Sequence, residues 1–304
     1  MPLRLEAKIP LGDVKGRIDH MAIDLARQRL FVAEFGNDSV GIVDLNGSRV
    51  SGRIRGLKEP QGVGYVPSSD TLYVASAGDG SLRLFQAEDL KEVGRLELGD
   101  DADNIRVDNA GNRVVVGYGE GALAIIGVTE NRTVAEIPLH GHPESFRLES
   151  GGSRVFVNVP DAHAIEVADR ESGKVIAQWP TGRSSANFPM VLAETSRQIL
   201  VVFRNPAMLT AYSMQDGVPV ASARTCGDAD DVFVDAKLHR IYVSCGDGHL
   251  DVFDNAGAFR LLARIPTASG ARTALFVPEL DRLFLAVRAS AHEPAAIWVY
   301  RPDP

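Results

Sequence analysis

Carboxylate and amide side chains are concentrated in two short segments that lie far apart in the chain. The first is GDDADNIRVD (99–108), and the second is CGDADDVFVD (226–235). Each segment places its acidic residues immediately before an alternating apolar stretch. Carboxylate and amide oxygens bind hard cations such as Ca²⁺ and Mg²⁺, and a carboxylate also serves as a general base. Both segments are therefore candidates for chemistry, provided that the fold brings them to one site.

An internal repeat explains why the chain carries this segment twice. One apolar strand recurs, each time preceded by another apolar segment and followed by a glycine-rich turn and two further alternating segments. The copies of this strand are RLFVAE (29–34), TLYVAS (71–76), RVVVGY (113–118), RVFVNV (154–159), QILVVF (198–203), RIYVSC (240–245) and RLFLAV (282–287). Four short strands in every 41 to 43 residues are typical of a β-propeller blade, whereas a helical repeat shows a period of 3.6 residues.

The seven copies predict an all-β fold, in which residues 1–304 form a single domain. This domain is expected to be a seven-bladed β-propeller with four antiparallel strands per blade. The seventh copy ends after its third strand, AAIWVYRPDP (295–304), and the N-terminal LEAKIPLG (5–12) is similar to fourth-strand segments such as AEIPLHG (135–141). We therefore expect residues 3–10 to complete the last blade as its outer strand, which closes the ring.

Several strands resemble those of the YVTN-repeat propellers, the YncE-like group. The resemblance is carried by LYVAS (72–76), RIYVSC (240–245), SVGIVDL (39–45) and EPQGVGYV (59–66), and it covers essentially the whole chain. It implies the seven-bladed fold but not an activity, because propellers host unrelated functions. One member of the group is associated with DNA binding. The net charge of −8 here argues against a phosphate-backbone partner, so we expect no nucleic acid ligand.

The sequence carries no recognisable targeting or membrane signal. The N-terminal MPLRLEAKIPLG lacks the apolar core of a signal peptide, and no run approaches the ~18–20 apolar residues needed to span a bilayer. Members of the YncE-like group are often exported. The resemblance therefore implies a periplasmic or secreted protein if a signal peptide has been removed, and a cytoplasmic one otherwise. We expect no membrane insertion, and a monomer.

The repeat register places equivalent residues of all seven blades at one mouth of the central channel. The innermost strand of each blade lines the channel, so its first residues face one end of the ring. The aligned residues are Asp19, Gln61, Asp103, Glu144, Asn187, Asp230 and Arg272. The two acidic segments are thus predicted to be corresponding parts of blades 3 and 6 that face the same opening.

Further polar residues are expected at this mouth. The next position in the register adds His20, Asn104 and Asp231, and the turns between the second and third strands add others. Asp231, five of these turn residues and Arg272 of the ring form the predicted ligand-binding set: Glu34, Tyr118, Asn158, Arg204, Asp231, Arg272 and Arg288. The expected partner is a small polar or anionic molecule, since arginine side chains bind carboxylate and phosphate groups.

One arc of the ring is a candidate metal site. Arg272 lies between blades 6 and 1 and is expected to neutralise Asp230 and Asp19, whereas blades 3 to 5 present oxygen ligands with no basic residue beside them. The predicted metal ligands are Asp103, Asn104, Glu144 and Asn187. They suit Ca²⁺ or Mg²⁺ and are similar in chemistry, though not in motif, to the metal sites of gluconolactonase-like propellers. Nearby histidines suit Zn²⁺. The alternative is a solvated or arginine-balanced ring without a metal.

Two functions of different classes follow from this mouth. The first is a non-catalytic, small-molecule-binding propeller, which the sequence favours because no residue set requires a reaction. The second is a metal-dependent, lactonase-like hydrolase, in which a divalent ion polarises a carbonyl and lowers the pKa of a bound water. Its candidate catalytic residues are Asp19, His20 and Asp230. No nucleophile elbow, P-loop or dinucleotide-binding glycine motif is present in the sequence.

The only two cysteines, Cys226 and Cys245, both belong to the repeat copy of blade 6. One precedes the first strand of that blade and the other follows its second strand, so both are expected at the mouth face and close together. The sequence leaves open whether they form a disulfide or a buried pair of thiols.

Overall fold

The chain folds into seven four-stranded antiparallel sheets. The computed structural model describes residues 1–304, and consecutive strands pair within each sheet in the order in which they occur along the chain, except in the last one. The three helical segments are single 3-10 turns at Phe35–Asn37, Glu194–Ser196 and Pro278–Leu280. None of them has the length and apolar character that crossing a membrane requires. The predicted all-β, seven-bladed propeller is confirmed.

Blades 1 to 4 follow one another directly along the chain. Their strands are β2 (Met21–Asp24), β3 (Arg29–Glu34), β4 (Ser39–Asp44) and β5 (Arg49–Arg55) in blade 1; β6 (Pro60–Val66), β7 (Thr71–Ser76), β8 (Ser81–Gln86) and β9 (Glu92–Glu97) in blade 2; β10 (Ile105–Asp108), β11 (Arg113–Tyr118), β12 (Ala122–Gly127) and β13 (Arg132–Pro138) in blade 3; and β14 (Phe146–Leu148), β15 (Arg154–Val159), β16 (Ala164–Asp169) and β17 (Lys174–Pro180) in blade 4.

The remaining blades include the one that joins the two ends of the chain. Their strands are β18 (Ser185–Ala193), β19 (Gln198–Asn205), β20 (Ala207–Ser213) and β21 (Pro219–Arg224) in blade 5; β22 (Ala229–Asp235), β23 (Arg240–Cys245), β24 (His249–Asp254) and β25 (Leu261–Pro266) in blade 6; and β26 (Ala274–Val277), β27 (Arg282–Val287), β28 (Ala295–Pro302) and the N-terminal β1 (Leu3–Gly12) in blade 7.

The N-terminal strand closes the ring as the sequence predicts. Strand β1 pairs antiparallel with β28, from Leu3 opposite Pro302 to Gly12 opposite Ala295. It runs two residues beyond the expected segment 3–10. Because this strand supplies the outer edge of blade 7, the first and last blades are held together by main-chain hydrogen bonds rather than by side chains alone.

The core lies between neighbouring blades and explains the repeat pattern. The second strand of each blade is apolar at consecutive positions because the sheets pack against a neighbour on both faces; in β11, for example, Val114, Val115 and Val116 are all fully buried. The outer strands instead alternate between partly buried and exposed residues, as in β17. A strand that is buried on both faces reads as a continuous apolar run, and a strand at an edge reads as an alternating one.

Cys226 and Cys245 form a disulfide, which resolves the alternative that the sequence left open. Their Cα atoms are 5.9 Å apart, and both residues are buried. Cys245 ends β23, and Cys226 precedes β22, so the bond links the start of the inner strand of blade 6 to the end of its neighbour. It anchors the short loop that carries Asp228, and with it the start of β22, where Asp230 lies, at the mouth of the channel.

Candidate functional site

The starts of the inner strands surround a small polar cavity at one mouth of the channel. Its volume is about 30 Å³, and nine of its ten lining residues are polar or charged. The residues are Arg17, Asp19, His20, Asp103, Asn104, Glu144, Ser145, Phe188, Asp230 and Asp231. The expectation that Asp103 and Asp230 face the same opening is confirmed. A water needs roughly 10–15 Å³, so the cavity has room for an ion or a group the size of an ammonium but not for a whole metabolite.

The same main-chain bond fixes these side chains in blades 1, 3 and 4. In each of these blades, the N–H of the residue two positions before the inner strand donates to a carbonyl near the end of the second strand. Examples are Asp19 to Ala33 (2.7 Å), Asp103 to Gly117 (2.9 Å) and Glu144 to Asn158 (3.0 Å). The ring of acidic side chains is therefore set by the repeated β-sheet geometry rather than by flexible loops.

One half of the ring is balanced by ion pairs. Arg17 Nη2 lies 2.5 Å from Asp19 Oδ2, and Arg204 Nη2 donates to Asp230 Oδ1 over 2.6 Å. The expected contact between Arg272 and Asp230 is present, with Nε 3.5 Å from Oδ2. Arg272 binds Asp228 more closely, with Nη1 2.8 and 2.9 Å from its two carboxylate oxygens. Each of these acidic groups therefore lies beside a guanidinium.

The other half has two carboxylates without such partners. Asp103 is buried, and its Oδ1 accepts no hydrogen bond; the nearest basic side chain is the imidazole of His20, whose Nε2 lies 3.7 Å away. Asn104 Nδ2 donates to the other oxygen, Oδ2, over 3.3 Å. The Glu144 carboxylate experiences the charges of Asp103, His142 and Arg204 but has no hydrogen-bond donor. Blades 3 and 4 therefore present unpaired negative charge to the cavity.

Burial changes the protonation of these groups. It raises the pKa of Asp19 and of Asp103 to about 6. It raises the pKa of Glu144 to about 7, with the negative charge of Asp103 adding to the effect. Burial lowers the pKa of His20, so that this imidazole is held neutral. Groups that titrate near neutral pH within a cavity are typical of functional sites, because they exchange a proton or a cation at little cost.

Arg288 is a positive group at the rim that has no partner. It follows β27 on blade 7 and is half-buried. Burial lowers its pKa, and the nearby positive charges of Arg272 and Arg17 lower it further. No carboxylate forms an ion pair with this guanidinium, although the charges of Asp19 and Asp230 act on it at longer range.

Two arginines below the cavity were not anticipated from the sequence. Arg106 donates through Nη2 to Asn104 Oδ1 over 3.0 Å, and Arg147 donates to Ser145 Oγ over 3.2 Å. Burial lowers the pKa of both guanidiniums, that of Arg147 to about 10. Each arginine follows its partner by two residues along the chain. Because alternate residues of a β-strand point to the same face, this spacing was the sequence signal that could have identified them.

Arg17 and Asp228 were also missed. Each lies two residues before a member of the predicted ring, namely Asp19 and Asp230. The equivalent residue in blade 3, two positions before Asp103, is Asp101, which accepts a hydrogen bond from Gln61 over 3.2 Å. The repeat register therefore contained a second ring of polar residues, one step further out along the channel.

Four predicted site residues lie away from the cavity. Glu34 is fully buried and pairs with Arg53 over 2.6 Å. Asn158 donates to the carbonyl of Phe188 over 3.0 Å. Tyr118 packs in the apolar cluster between blades 2 and 3. Their positions at the turns between the second and third strands predicted a place at the mouth, but these side chains point into the sheets and stabilise the packing of blades, which corrects the expected ligand-binding set.

Asn187 is the fourth, and it departs from the predicted metal-binding set. It is fully buried, and its Nδ2 donates to Asn158 Oδ1 over 3.2 Å and to the carbonyl of Ala164 over 3.0 Å. The register of β18 against β19 shifts between Asn187 and Met190, and Phe188 lines the cavity in its place. The irregular pairing at the start of β18 therefore redirects the side chain that the repeat register aligns with Asp103.

No three acidic or histidine side chains at the mouth bring one ligand atom each within 4.8 Å of one another. The only such group in the chain is Cys226, Cys245 and Asp247, and its sulfur atoms are already joined to each other. A cation at the mouth would therefore contact Asp103 and Glu144 with fewer protein oxygens than the sequence suggested.

Asp231 allows a direct test of the electrostatics of the cavity. Burial raises its pKa to about 8, against its ordinary value of 3.8, and the negative charge of Asp230 contributes. A carboxyl with a raised folded-state pKa stabilises the fold at low pH, and this contribution is lost as the pH rises through about 8. We expect Asp231→Asn to raise the free energy of unfolding by about 1–2 kcal/mol at pH 9. The substitution removes a buried negative charge, which stabilises the fold, but the N–H groups of the new asparagine side chain are buried as well and offset part of this stabilisation.

The same substitution supplies its own control at pH 5, where the gain should be much smaller, because the penalty from the raised pKa of Asp231 develops progressively between about pH 4 and pH 8. Urea denaturation of both proteins at the two pH values measures the difference. An equal effect at pH 5 and pH 9 would show that Asp231 is not protonated in the native state near neutral pH.

Comparisons with known proteins agree on the fold and add no function. The chain matches no protein-family model and no curated protein sequence. Among solved structures, it is similar to hydrazine synthase of Kuenenia stuttgartiensis, with 17% identity, a TM-score of 0.77, and coverage of 92% of this chain and 99% of that chain. It is also similar to the WD40 repeats of RRP9, with 10% identity, a TM-score of 0.84, and coverage of 99% and 98%.

A third similar structure comes from the crystal structure of the mitotic checkpoint complex. It shows 13% identity, a TM-score of 0.78, and coverage of 96% of this chain and 95% of that chain. At such low identity, these likenesses establish the propeller fold alone. The function must therefore be argued from the chemistry of the mouth.

Proposed function

We propose that this protein is a small-molecule-binding propeller whose ligand places a positively charged or hydrogen-donating group in the cavity. The observation that supports this proposal is the unpartnered Asp103 Oδ1, which is buried and lines the cavity. Glu144 lines the same cavity and also lacks a donor. A buried carboxylate without a hydrogen bond is costly, and a bound ammonium group or cation restores the missing interactions.

The identity of the propeller family and its location are part of this proposal. The repeat strands that resemble the YVTN group support membership in it, and the acidic net charge of −8 supports a small molecule rather than a nucleic acid as partner. The disulfide between Cys226 and Cys245 supports an oxidising compartment such as the periplasm, because cytosolic proteins rarely keep such bonds.

A second candidate, metal-dependent hydrolysis of a lactone or related ester, is favoured by one specific feature. The neutral imidazole of His20 lies between two carboxylates, with Nε2 3.7 Å from Asp103 Oδ1 and 3.8 Å from Asp19 Oδ1. It is better placed as a general base than Asp230, which is held by two arginines. A divalent ion at Asp103 and Glu144 would polarise a carbonyl and activate a water.

The decisive experiment compares the parent with the double variant Asp103→Asn, Glu144→Gln. Calorimetry and thermal unfolding would be measured with small amines, amino acids, carboxylic acids, lactones, and the Ca²⁺, Mg²⁺, Mn²⁺ and Zn²⁺ ions. We expect at least one cationic compound to stabilise the parent, by about 2.7 kcal/mol at 100 times its Kd. The double variant should lose this stabilisation and keep its fold.

Asp79→Asn with Glu97→Gln is the matched control, since it removes the same two charges from solvent-accessible positions on blade 2. It should leave binding unchanged. Stabilisation by a metal ion together with turnover of a lactone would select the hydrolase. If no compound stabilises the parent, or if the double variant keeps the effect, the mouth is not the binding site.

A further inference from the structure

Around the opening of the cavity, three arginines pair with carboxylates and three other charged groups have no such partner, while Arg106 and Arg147 lie below the cavity and donate to Asn104 and Ser145. Arg17 pairs with Asp19, Arg204 with Asp230, and Arg272 with Asp228. The unmatched groups are the carboxylates of Asp103 and Glu144 and the guanidinium of Arg288.

The unmatched charges lie on opposite sides of the channel. Asp103 and Glu144 belong to blades 3 and 4, and Arg288 belongs to blade 7. In a closed ring of seven blades, the position across from blade 7 falls between blades 3 and 4. The mouth is therefore electrically polarised, with free negative charge on one side and free positive charge facing it.

This polarity places a requirement on the ligand that binds there. A simple cation satisfies only the acidic side, and it leaves the half-buried Arg288 without a partner. A simple carboxylate satisfies only Arg288, and it leaves Asp103 Oδ1 buried without a donor. A molecule with a positive group at one end and an anionic group at the other satisfies both sides. Guanidinium groups bind carboxylates with two parallel hydrogen bonds, which fixes the orientation of such a ligand.

We infer that the ligand is a small zwitterion of the amino-acid class. This inference rests on the proposed binding function of the same mouth. The ammonium group enters the cavity beside Asp103 and Glu144, and the carboxylate lies above it and binds Arg288. The cavity volume of about 30 Å³ admits the ammonium group alone, so the carbon skeleton spans the mouth.

Calorimetry with a series of zwitterions tests this inference. The probes are alanine, glycine, β-alanine, 4-aminobutanoate and 5-aminopentanoate, each compared with the amine and the carboxylic acid of matching carbon skeleton. We expect at least one zwitterion to bind the parent tenfold or more tightly than its amine or its acid. Arg288→Gln should reduce the affinity for that zwitterion to the level of the amine and leave the affinity for the amine itself unchanged.

Two further variants separate the possible outcomes. Arg301→Gln removes an accessible arginine of blade 7 and should have no effect, whereas Asp103→Asn with Glu144→Gln should abolish binding of both the amine and the zwitterion. If amine and zwitterion bind equally, or if Arg288→Gln weakens both alike, the zwitterion inference is overturned and the binding function stands. Binding of a carboxylic acid only together with a metal ion also overturns it, in favour of an anion held by a cation. If none of these compounds binds the parent, both the zwitterion inference and the proposed binding function are wrong.

Discussion

Removal of residues 1–12 is expected to lower the free energy of unfolding by about 6 kcal/mol, because three buried side chains leave the core and each contributes roughly 2 kcal/mol. These side chains are Leu3, Ile9 and Leu11, which are 1–2% exposed. Strand β1 also forms the outer pairing of blade 7 along its whole length. Since domains of ordinary stability unfold at a cost of about 5–15 kcal/mol, the truncated protein should be largely unfolded or aggregated.

Chemical denaturation and size-exclusion chromatography measure this effect. The control is Leu5→Ser, which changes an outward-facing residue of the same strand that is 41% exposed and should cost less than about 0.5 kcal/mol. Leu3→Ala and Ile9→Ala give intermediate losses if the full deletion fails to express. A truncated chain that unfolds at the parent's midpoint would show that the ring does not depend on the N-terminal strand.

Loss of the Cys226–Cys245 disulfide is expected to lower the free energy of unfolding by about 3 kcal/mol, from the chain entropy released in the unfolded state. The bond joins residues separated by 19 positions, and both sulfur atoms belong to the packed core of blades 5 and 6. The effect should appear in urea denaturation of the double variant Cys226→Ala, Cys245→Ala.

The reducing agent supplies the internal control for this prediction. The chain has no other cysteine, so dithiothreitol should destabilise the parent and leave the double alanine variant unchanged. Thiol titration of the unfolded parent should find no free thiol before reduction and two after it. Two free thiols in the unreduced protein, or a reductant effect in the variant, would contradict the assignment.

The disulfide is also connected to the candidate site at the mouth of the channel. Cys226 precedes Asp228 by two residues, and Asp228 binds Arg272 with both carboxylate oxygens. Arg272 also lies 3.5 Å from Asp230, so the position of this loop bears on the contacts of Arg272 with both carboxylates. The disulfide therefore stabilises the blade and also the arrangement of the balanced half of the mouth.

Much of the fold was predictable because it depends on short-range patterns in the sequence. The period of 41 to 43 residues, the alternation of apolar side chains and the missing fourth strand of the last copy together specify seven blades and their closure. These patterns also placed Asp103 and Asp230 at the same opening, since a repeat puts equivalent residues at equivalent positions. Such information survives in the sequence because each blade is built from contacts between neighbouring strands.

Partner choice and protonation were decided by the tertiary structure. Glu34 and Arg53 come from the same blade, yet their ion pair could not be inferred from the periodicity of the sequence. The shift in strand β18 turned Asn187 into the sheet. Arg17 and Asp228 became partners of the ring through side-chain directions that the register alone does not give. The sequence determined where the acidic residues lie around the channel. Only the packed structure decided which of them are desolvated and unpaired, because burial and the distance to an opposite charge set the energy of a carboxylate.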